Sequence, residues 1–238
     1  MANQVITLIT GPNRGIGRGL LEVFLGQANN TVIAAVRDPT ATISQGLKSI
    51  PVGEGSKVIL VKIDSAVDSD AQKAVSELKS SYGIEKLDVV ISNAGIGEVA
   101  TTVSETPPAS IRSHMDVNLI GTLTLFQAVE PLLRKSQEPK FFTMSSNLAS
   151  LGLMEYVPGP WFCYGVTKSA LNFLTRKIHF ENEWLTAAVL SPGWVQTDMG
   201  EFAAKAVVAE AAPVKLEDSI KGLVQVVSSQ RPRNPSSC

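Results

Sequence analysis

Short runs of β-branched and aliphatic residues alternate with longer stretches of helical periodicity along most of the chain. The runs have the length and composition of buried strands, and they cover residues 5–10, 31–36, 57–63, 87–91, 140–145 and 186–191. Amphipathic patterns between and after them predict helices, the clearest at residues 68–82, 110–135, 164–180 and 216–227. Strands that alternate with helices pair in parallel through right-handed crossovers. The sequence therefore predicts an α/β fold, a doubly wound parallel sheet with helices on both faces.

The length of the chain favours one domain. Its 238 residues contain no linker-like stretch and no internal repeat, so we expect a single domain over residues 1–230. Residues 231–238 are polar and carry two prolines, which predicts a disordered tail rather than a strand.

Composition excludes several classes of partner. The formal net charge is −1 and no basic run stands out, so neither nucleic acid nor an anionic membrane surface is expected as a partner. No apolar run is long enough to span a membrane, and residues 1–4 leave no room for a signal peptide before the first strand. The two cysteines form no disulfide or metal pattern, and His114 and His179 lack partner clusters. A cytoplasmic protein without a metal is the expectation.

A glycine-rich turn follows the first strand directly. Residues 11–17 read Gly-Pro-Asn-Arg-Gly-Ile-Gly, and a helical pattern continues through Leu25. Glycines let the backbone approach a pyrophosphate, and a helix N-terminus offers N–H groups and a positive dipole end. The spacing predicts a dinucleotide site, although a tight turn with no ligand has the same local signature.

The second predicted strand ends at Arg37, twenty residues after Gly17. An acidic residue at this distance reads the ribose of NAD, whereas a cation suits the 2′-phosphate of NADP. Arg37, with Arg14 as a second charge, therefore favours NADPH. Asp38 follows directly and offers the opposite reading, as a ribose ligand, but Asp-Pro also starts turns.

Tyr164 and Lys168 are four residues apart in a predicted helix, so they share one face. A tyrosine has a pKa of about 10, and a neighbouring ammonium lowers it toward the range useful for proton transfer. Such a pair by itself is more often an ordinary surface pair. Its significance depends on the polar residues that follow the strands, at Asn93, Ser145 and Ser146.

Several motifs in order resemble the short-chain dehydrogenase/reductase family, whose fold is Rossmann-type. They are Thr10-Gly11-x-x-x-Gly15-x-Gly17, Asn93-Ala94-Gly95, Asn118, Ser146, Tyr164-x-x-x-Lys168 and Pro192-Gly193. The resemblance implies NADPH/NADP+ as cofactor and a catalytic set of Asn118, Ser146, Tyr164 and Lys168. In that set Tyr164 is the general acid, Lys168 also bonds the nicotinamide ribose, Ser146 holds the substrate oxygen and Asn118 maintains a water-linked proton path.

The resemblance also implies the cofactor contacts. Asp64 resembles the adenine position, and residues 192–197 resemble the nicotinamide-side loop. The expected cofactor-binding residues are Thr10, Gly11, Asn13, Arg14, Gly15, Ile16, Gly17, Arg37, Asp64, Asn93, Ala94, Gly95, Tyr164, Lys168, Pro192, Gly193, Val195 and Thr197.

A closer likeness lies in residues 171–181 and 192–200, which resemble the fungal ketoreductases related to norsolorinic acid ketoreductase. This likeness implies an aromatic polyketide ketone as substrate, in fungal secondary metabolism. The expected substrate pocket is Ser146 with the large side chains Met154, Tyr156, Trp161, Trp194, Met199 and Phe202; ordinary packing explains these large residues equally well.

Two departures from the family pattern stand out. Ser146 and Tyr164 are 18 residues apart, a longer spacing than the family usually shows, and a final strand after the last helix is missing from the pattern. Two alternatives to a ketoreductase remain at this point, namely an alcohol dehydrogenase for another bulky hydrophobic substrate and a non-catalytic NADPH-binding sensor or scaffold. By analogy with the family, the helices around Asn118 and Tyr164 imply a homodimer or homotetramer.

Overall fold

The computed structural model describes residues 4–157 and 159–229, and its centre is a parallel six-stranded sheet. The strand order is β3-β2-β1-β4-β5-β6. The strands are β1 (Val5–Thr10), β2 (Asn30–Val36), β3 (Lys57–Lys62), β4 (Val89–Ser92), β5 (Lys140–Met144) and β6 (Thr186–Leu190). Each crossover carries at least one helix. The predicted doubly wound α/β fold is confirmed.

The strands are buried on both faces, as their unbroken apolar runs require. Leu8 and Ile9 are successive residues of β1, they point to opposite faces, and both are fully buried. Leu8 belongs to the core beneath the helices α3 (Asp70–Tyr82) and α5 (Gly121–Leu133). Ile9 belongs to the core beneath α1 (Gly15–Gly26) and α8 (Leu216–Ser229). Two hydrophobic layers therefore hold the sheet between them.

The remaining helices differ in part from the sequence-based expectation. They are α2 (Thr42–Gln45), α4 (Pro108–Met115), α6 (Phe162–Glu181) and α7 (Asp198–Ala206). The single helix predicted at residues 110–135 is α4 and α5 joined by a π-helical turn, Asp116–Ile120. Pro131 lies inside α5, which ends two residues later, at Leu133. The disordered tail and the missing final strand predicted for residues 231–238 lie outside the described residues.

The strand order reverses direction between β1 and β4, which are neighbours in the sheet. In a doubly wound fold, this reversal opens a crevice at the carboxyl ends of the strands. The glycine turn follows β1 at that edge, residues 93–97 follow β4, and Ser145 and Ser146 follow β5. The topology thus gathers the predicted motifs at one edge of the sheet.

Candidate active site

Two glycines of the glycine turn have a left-handed backbone. Gly11 and Gly15 have φ angles of +64° and +54°, in the left-handed region that favours glycine. Gly17 has no room for a side chain, because a Cβ there would lie 2.5 Å from the carbonyl oxygen of Gly11. Arg14 is the N-cap of α1 and makes no side-chain capping bond. The first N–H groups of α1 therefore remain available to an anion.

Asn93 fixes the far side of this turn. Its Nδ2 donates to the carbonyl oxygens of Thr10 (2.9 Å) and Gly11 (3.2 Å). In return, Thr10 Oγ1 accepts from the backbone N–H groups of Asn93 and Ala94, each at 3.0 Å. This reciprocal clamp joins the ends of β1 and β4, so the floor of the crevice is rigid.

Arg37 and Asp38 have different roles at the end of β2. Asp38 accepts hydrogen bonds from both the backbone N–H and the hydroxyl of Thr40, and these bonds hold the pKa of its carboxyl below the usual value. Arg37 is exposed and makes no hydrogen bond or ion pair with the described part of the chain. Asp38 stabilises a turn, whereas the guanidinium of Arg37 is free to bind a phosphate.

Asp64 follows β3, at the side of the crevice where Arg37 lies. Its backbone N–H donates to the buried carboxylate of Asp70 (3.2 Å), and its own carboxylate accepts from the backbone N–H of Ala66 (3.0 Å). The loop that presents Asp64 is therefore held by α3.

The opposite wall of the crevice is the segment between β6 and α7. Thr197 is the N-cap of α7, and its methyl group lies 3.4 Å from the position of a Cβ on Gly15. Arg14 Nη1 donates to Asp198 Oδ2 at 2.8 Å. Val195 is buried and pairs with Val214, and the carbonyl of Pro192 accepts from Ser219 of α8. The nicotinamide-side loop is thus anchored to α8 and touches the glycine turn.

Tyr164 and Lys168 lie on the inner face of α6. Lys168 is buried, and its Nζ donates to the carbonyl oxygen of Met144 at 2.7 Å. The same Nζ lies 5.4 Å from the centre of the Tyr164 ring. Gly97 also lies against that ring, because a Cβ there would come within 3.0 Å of the Tyr164 Cδ2 atom. The pair is therefore internal rather than an ordinary surface pair.

Burial dominates the titration of both groups. It raises the pKa of Tyr164 to about 12 and lowers the pKa of Lys168 to about 8. Tyr164 keeps partial exposure to solvent, but the surrounding protein still disfavours its phenolate. The Tyr164 pKa is therefore shifted in the direction opposite to the lowering that the Tyr164–Lys168 spacing predicted, and burial is the cause.

Asn118 lies in the π-helical turn and is almost completely buried. Its Oδ1 accepts from the N–H of Ile96 (2.8 Å), and its Nδ2 donates to the Ile96 carbonyl (2.9 Å) and to Thr167 Oγ1 (3.1 Å). Its side chain thus ties the loop after β4 to α6. A π turn is frequent at functional sites, and the extra residue here displaces the local register of the helix.

The two serines after β5 have different environments. Ser145 is buried, and its hydroxyl donates to Asn172 Oδ1 at 2.5 Å. Ser146 is partly exposed, and its oxygen accepts only the backbone N–H of Leu148 (3.2 Å). The hydrogen of the Ser146 hydroxyl is therefore available to a substrate oxygen, whereas that of Ser145 is not.

The predicted substrate-pocket residues have different surroundings in the structure. Met199 lies against Gly97 beside Tyr164, and Trp194, in the loop before α7, donates its Nε1 to the carbonyl of Gly200 in the first turn of α7 (3.0 Å). Trp161 pairs with Thr101. Phe202 lines a surface groove along α7. Met154 and Tyr156 are 62% and 78% exposed, so neither lies in an enclosed pocket.

Several residues of the site were not recognised in the sequence. Gly97 lies against the Tyr164 ring, Ile96 is held by Asn118, and Asn172 binds Ser145. Helical spacing offered a signal only for Asn172, which is four residues after Lys168 and so shares its face. The two loop residues had no pattern of their own.

Both histidines have structural environments. His114 Nδ1 bonds the carbonyl oxygen of Ser110, and His179 Nδ1 accepts from the N–H of Ala187. Across the described ranges, no cluster of three or more His, Cys, Asp or Glu side chains could hold a metal ion. No helix of those ranges has the length and apolarity needed to cross a membrane.

Comparison with known proteins gives consistent matches. The model of the short chain dehydrogenase family matches residues 5–207. Norsolorinic acid ketoreductase of Aspergillus parasiticus is 39% identical and that of Dothistroma septosporum 42%; the matches cover 92% and 91% of this chain and 82% and 81% of those proteins. An NADPH-bound carbonyl reductase from chicken fatty liver has a TM-score of 0.84 at 27% identity, covering 97% of this chain and 94% of that one.

Proposed function

The chain belongs to the short-chain dehydrogenase family, and from that premise we propose that it is an NADPH-dependent ketoreductase. In this reaction, the cofactor supplies a hydride to the carbonyl carbon of a ketone. Tyr164 supplies the proton to the carbonyl oxygen, and the product is an alcohol.

The residues of the crevice fit such a cofactor. The uncapped N-terminus of α1 and the left-handed glycines Gly11 and Gly15 suit a pyrophosphate, and a side chain at Gly17 would fill the space that the turn needs. The unpaired cation at Arg37 suits a 2′-phosphate, because Asp38 is already engaged with Thr40. The chicken carbonyl reductase is described as NADPH-bound, which supports the same choice.

The observation that carries the proposal is the placement of Tyr164 beside Lys168 and against Gly97, in the loop after β4. Its hydroxyl is protonated at neutral pH, since burial raises its pKa to about 12, so Tyr164 can donate a proton to a reduced ketone oxygen. Lys168, fixed by the Met144 carbonyl, places a cation beside the ring and is within the same crevice as the expected nicotinamide ribose. Ser146 has an unengaged hydroxyl hydrogen that would stabilise charge on the substrate oxygen.

We further propose that the substrate is an aromatic polyketide ketone of fungal secondary metabolism. Two relatives that share about 40% identity over nine-tenths of this chain carry the name norsolorinic acid ketoreductase. Apolar side chains are also exposed to solvent in residues 151–156 and in α7, and such a surface would suit a large planar substrate. They include Leu151, Met154, Tyr156, Met199 and Phe202.

The test is NADPH consumption by the wild type and by Tyr164→Phe, with a panel of ketones that includes hydroxylated anthraquinones, steroids and small ketones. We expect turnover of the aromatic ketones, and a kcat about 1,000-fold lower in the variant with unchanged NADPH affinity, because only the proton donor is lost. Tyr82→Phe is the matched control, since Tyr82 lies at the exposed end of α3.

The possible results of this assay distinguish the substrate class, the proton donor and the type of protein. Turnover restricted to steroidal or small ketones would discard the polyketide assignment but keep the mechanism. Full activity of Tyr164→Phe would remove Tyr164 as the acid. Tight NADPH binding with no turnover of any ketone would favour a cofactor-binding sensor or scaffold.

We also propose a cytoplasmic homodimer that associates through α5 and α6. The outer face of α6 leaves Phe173 71% and Phe180 52% exposed, and such aromatic residues are typical of an interface. Sedimentation of the purified protein measures its state directly.

A further inference from the structure

The inner face of α6 is joined to the end of β5 by a row of hydrogen bonds. Thr143, Met144 and Ser145 are consecutive residues, and each one bonds a side chain of α6. Thr143 bonds Thr175 at 2.8 Å, the Met144 carbonyl accepts from Lys168 at 2.7 Å, and Ser145 donates to Asn172 at 2.5 Å. We refer to these three bonds as the α6–β5 seam.

A second contact joins α6 to the turn that carries Ser146. Ser169 Oγ donates to the carbonyl oxygen of Ala149 at 2.9 Å, and a Cβ on Gly165 would lie 3.1 Å from the Leu148 carbonyl oxygen. The segment with Ser146 therefore leaves β5 at Ser145, which is bonded to Asn172, and returns to α6 at Ala149. Because Tyr164 is on the same helix, these contacts fix its position relative to Ser146.

Asn172 takes no part in the proposed proton transfer. Its Oδ1 accepts a hydrogen bond from the hydroxyl of Ser145, the residue directly before Ser146. Ser145 is buried, and no other bond to its side chain is present in the described chain. Loss of the Asn172 acceptor would leave a buried hydroxyl unsatisfied, and its rotation or displacement would move Ser146 with it.

We propose that Asn172 is a positioning residue for the reduction, acting through Ser145 to hold Ser146 at hydrogen-bonding distance from a ketone oxygen whose proton comes from Tyr164. This inference rests on the proposed ketoreductase function. It assigns this role to Asn172 and not to Thr175. Thr175 makes a similar bond one turn further along α6, but its partner is the buried Thr143 within β5.

The test compares Asn172→Ala with Thr175→Val in steady-state ketone reduction. Misplacement of a group that contacts the substrate lowers turnover, so we expect the kcat of Asn172→Ala to fall about 10-fold, while the KM for NADPH changes less than about twofold. Asn172→Asp keeps an acceptor at the same place and should restore most of the rate. Thr175→Val should lose stability but keep its kcat.

Ser145→Ala removes the same hydrogen bond from the other partner, so it gives the same test if Asn172→Ala does not fold. The two substitutions together should cost no more than one alone, since they remove one bond. Wild-type kcat in Asn172→Ala or Ser145→Ala, no recovery in Asn172→Asp, or an equal kcat loss in Thr175→Val would overturn the inference. If the wild type turned over no ketone, the proposed function itself would fail. If the wild type were active and Tyr164→Phe inactive, but Asn172→Ala and Ser145→Ala kept the wild-type kcat, only this inference would fail.

Discussion

The glycine turn and the end of α7 both require a left-handed backbone, and they meet this requirement differently. In the turn, Gly11 and Gly15 occupy the positive-φ positions. At the end of α7, Val208 adopts a φ of +55° and is 94% exposed. A β-branched residue in this region is strained, whereas glycine is not. The glycine turn is therefore locally relaxed, whereas the backbone at the end of α7 is strained.

The difference extends to packing. Beside the glycine turn, Asn93, Asn118 and Lys168 are held by two or more hydrogen bonds or by burial. By contrast, Met154, Tyr156 and Val208 are largely exposed. The residues near the expected cofactor are therefore held by many contacts, whereas these three make few. We therefore expect a substitution at Gly17 to lower the free energy of unfolding and one at Val208 to raise it.

The largest effect is expected at Gly17. A methyl group there would lie 2.4 Å from Asn93 Nδ2 and 2.5 Å from the Gly11 carbonyl oxygen, so Gly17→Ala must displace the clamp or the turn. We expect a loss of about 3 kcal/mol in the free energy of unfolding and a large loss of NADPH affinity. Chemical denaturation and a cofactor titration measure the two quantities.

Gly26→Ala is the control within the same helix. Nothing lies within 4 Å of a Cβ at Gly26, so this substitution should stabilise the protein by about 0.5–1 kcal/mol. Equal effects at the two positions would show that the glycine turn is no more constrained than the end of α1.

A smaller effect should follow from the titration of Lys168. Its pKa is about 8 in the folded protein and 10.5 without burial, so between these values the unfolded chain binds a proton that the folded chain lacks. Stability contributed by this group is therefore lowest below pH 8 and rises with pH up to about 10.5. The full difference corresponds to about 3 kcal/mol as an upper limit.

Lys168→Met removes the titration while keeping an apolar stem. The unfolding free energy of the wild type should rise relative to that of Lys168→Met as the pH increases from 8 to 10.5. A difference in unfolding free energy that stays constant across this range would mean that burial does not lower the pKa of Lys168.

The smallest effect is expected at Val208, after the end of α7. Val208→Gly relieves a left-handed valine without removing buried contacts, and we expect about 1 kcal/mol of added stability in thermal or chemical unfolding. Val207→Gly is the matched control, because Val207 has a negative φ and should lose stability instead. If Val208→Gly were less stable than the wild type, the left-handed backbone at Val208 would not be a source of strain.

The sequence by itself determined the sheet, its parallel pairing and the edge at which the motifs gather. Buried strands need continuous apolar runs, and a left-handed turn against a helix N-terminus needs glycine, so residue type and local conformation coincide in β1 and residues 11–17. The position of Tyr164 and Lys168 on one helical face followed from the 3.6-residue period in the same way.

Only the tertiary structure decided the environment of those groups. The Tyr164 pKa depends on burial among distant segments, so the i,i+4 spacing predicted the wrong direction. The π turn at Asn118 satisfies the backbone of Ile96, and the Ser145–Asn172 bond joins residues 27 apart. Hydration and hydrogen-bond partners are set by neighbours that are remote in the chain, and no local pattern encodes them.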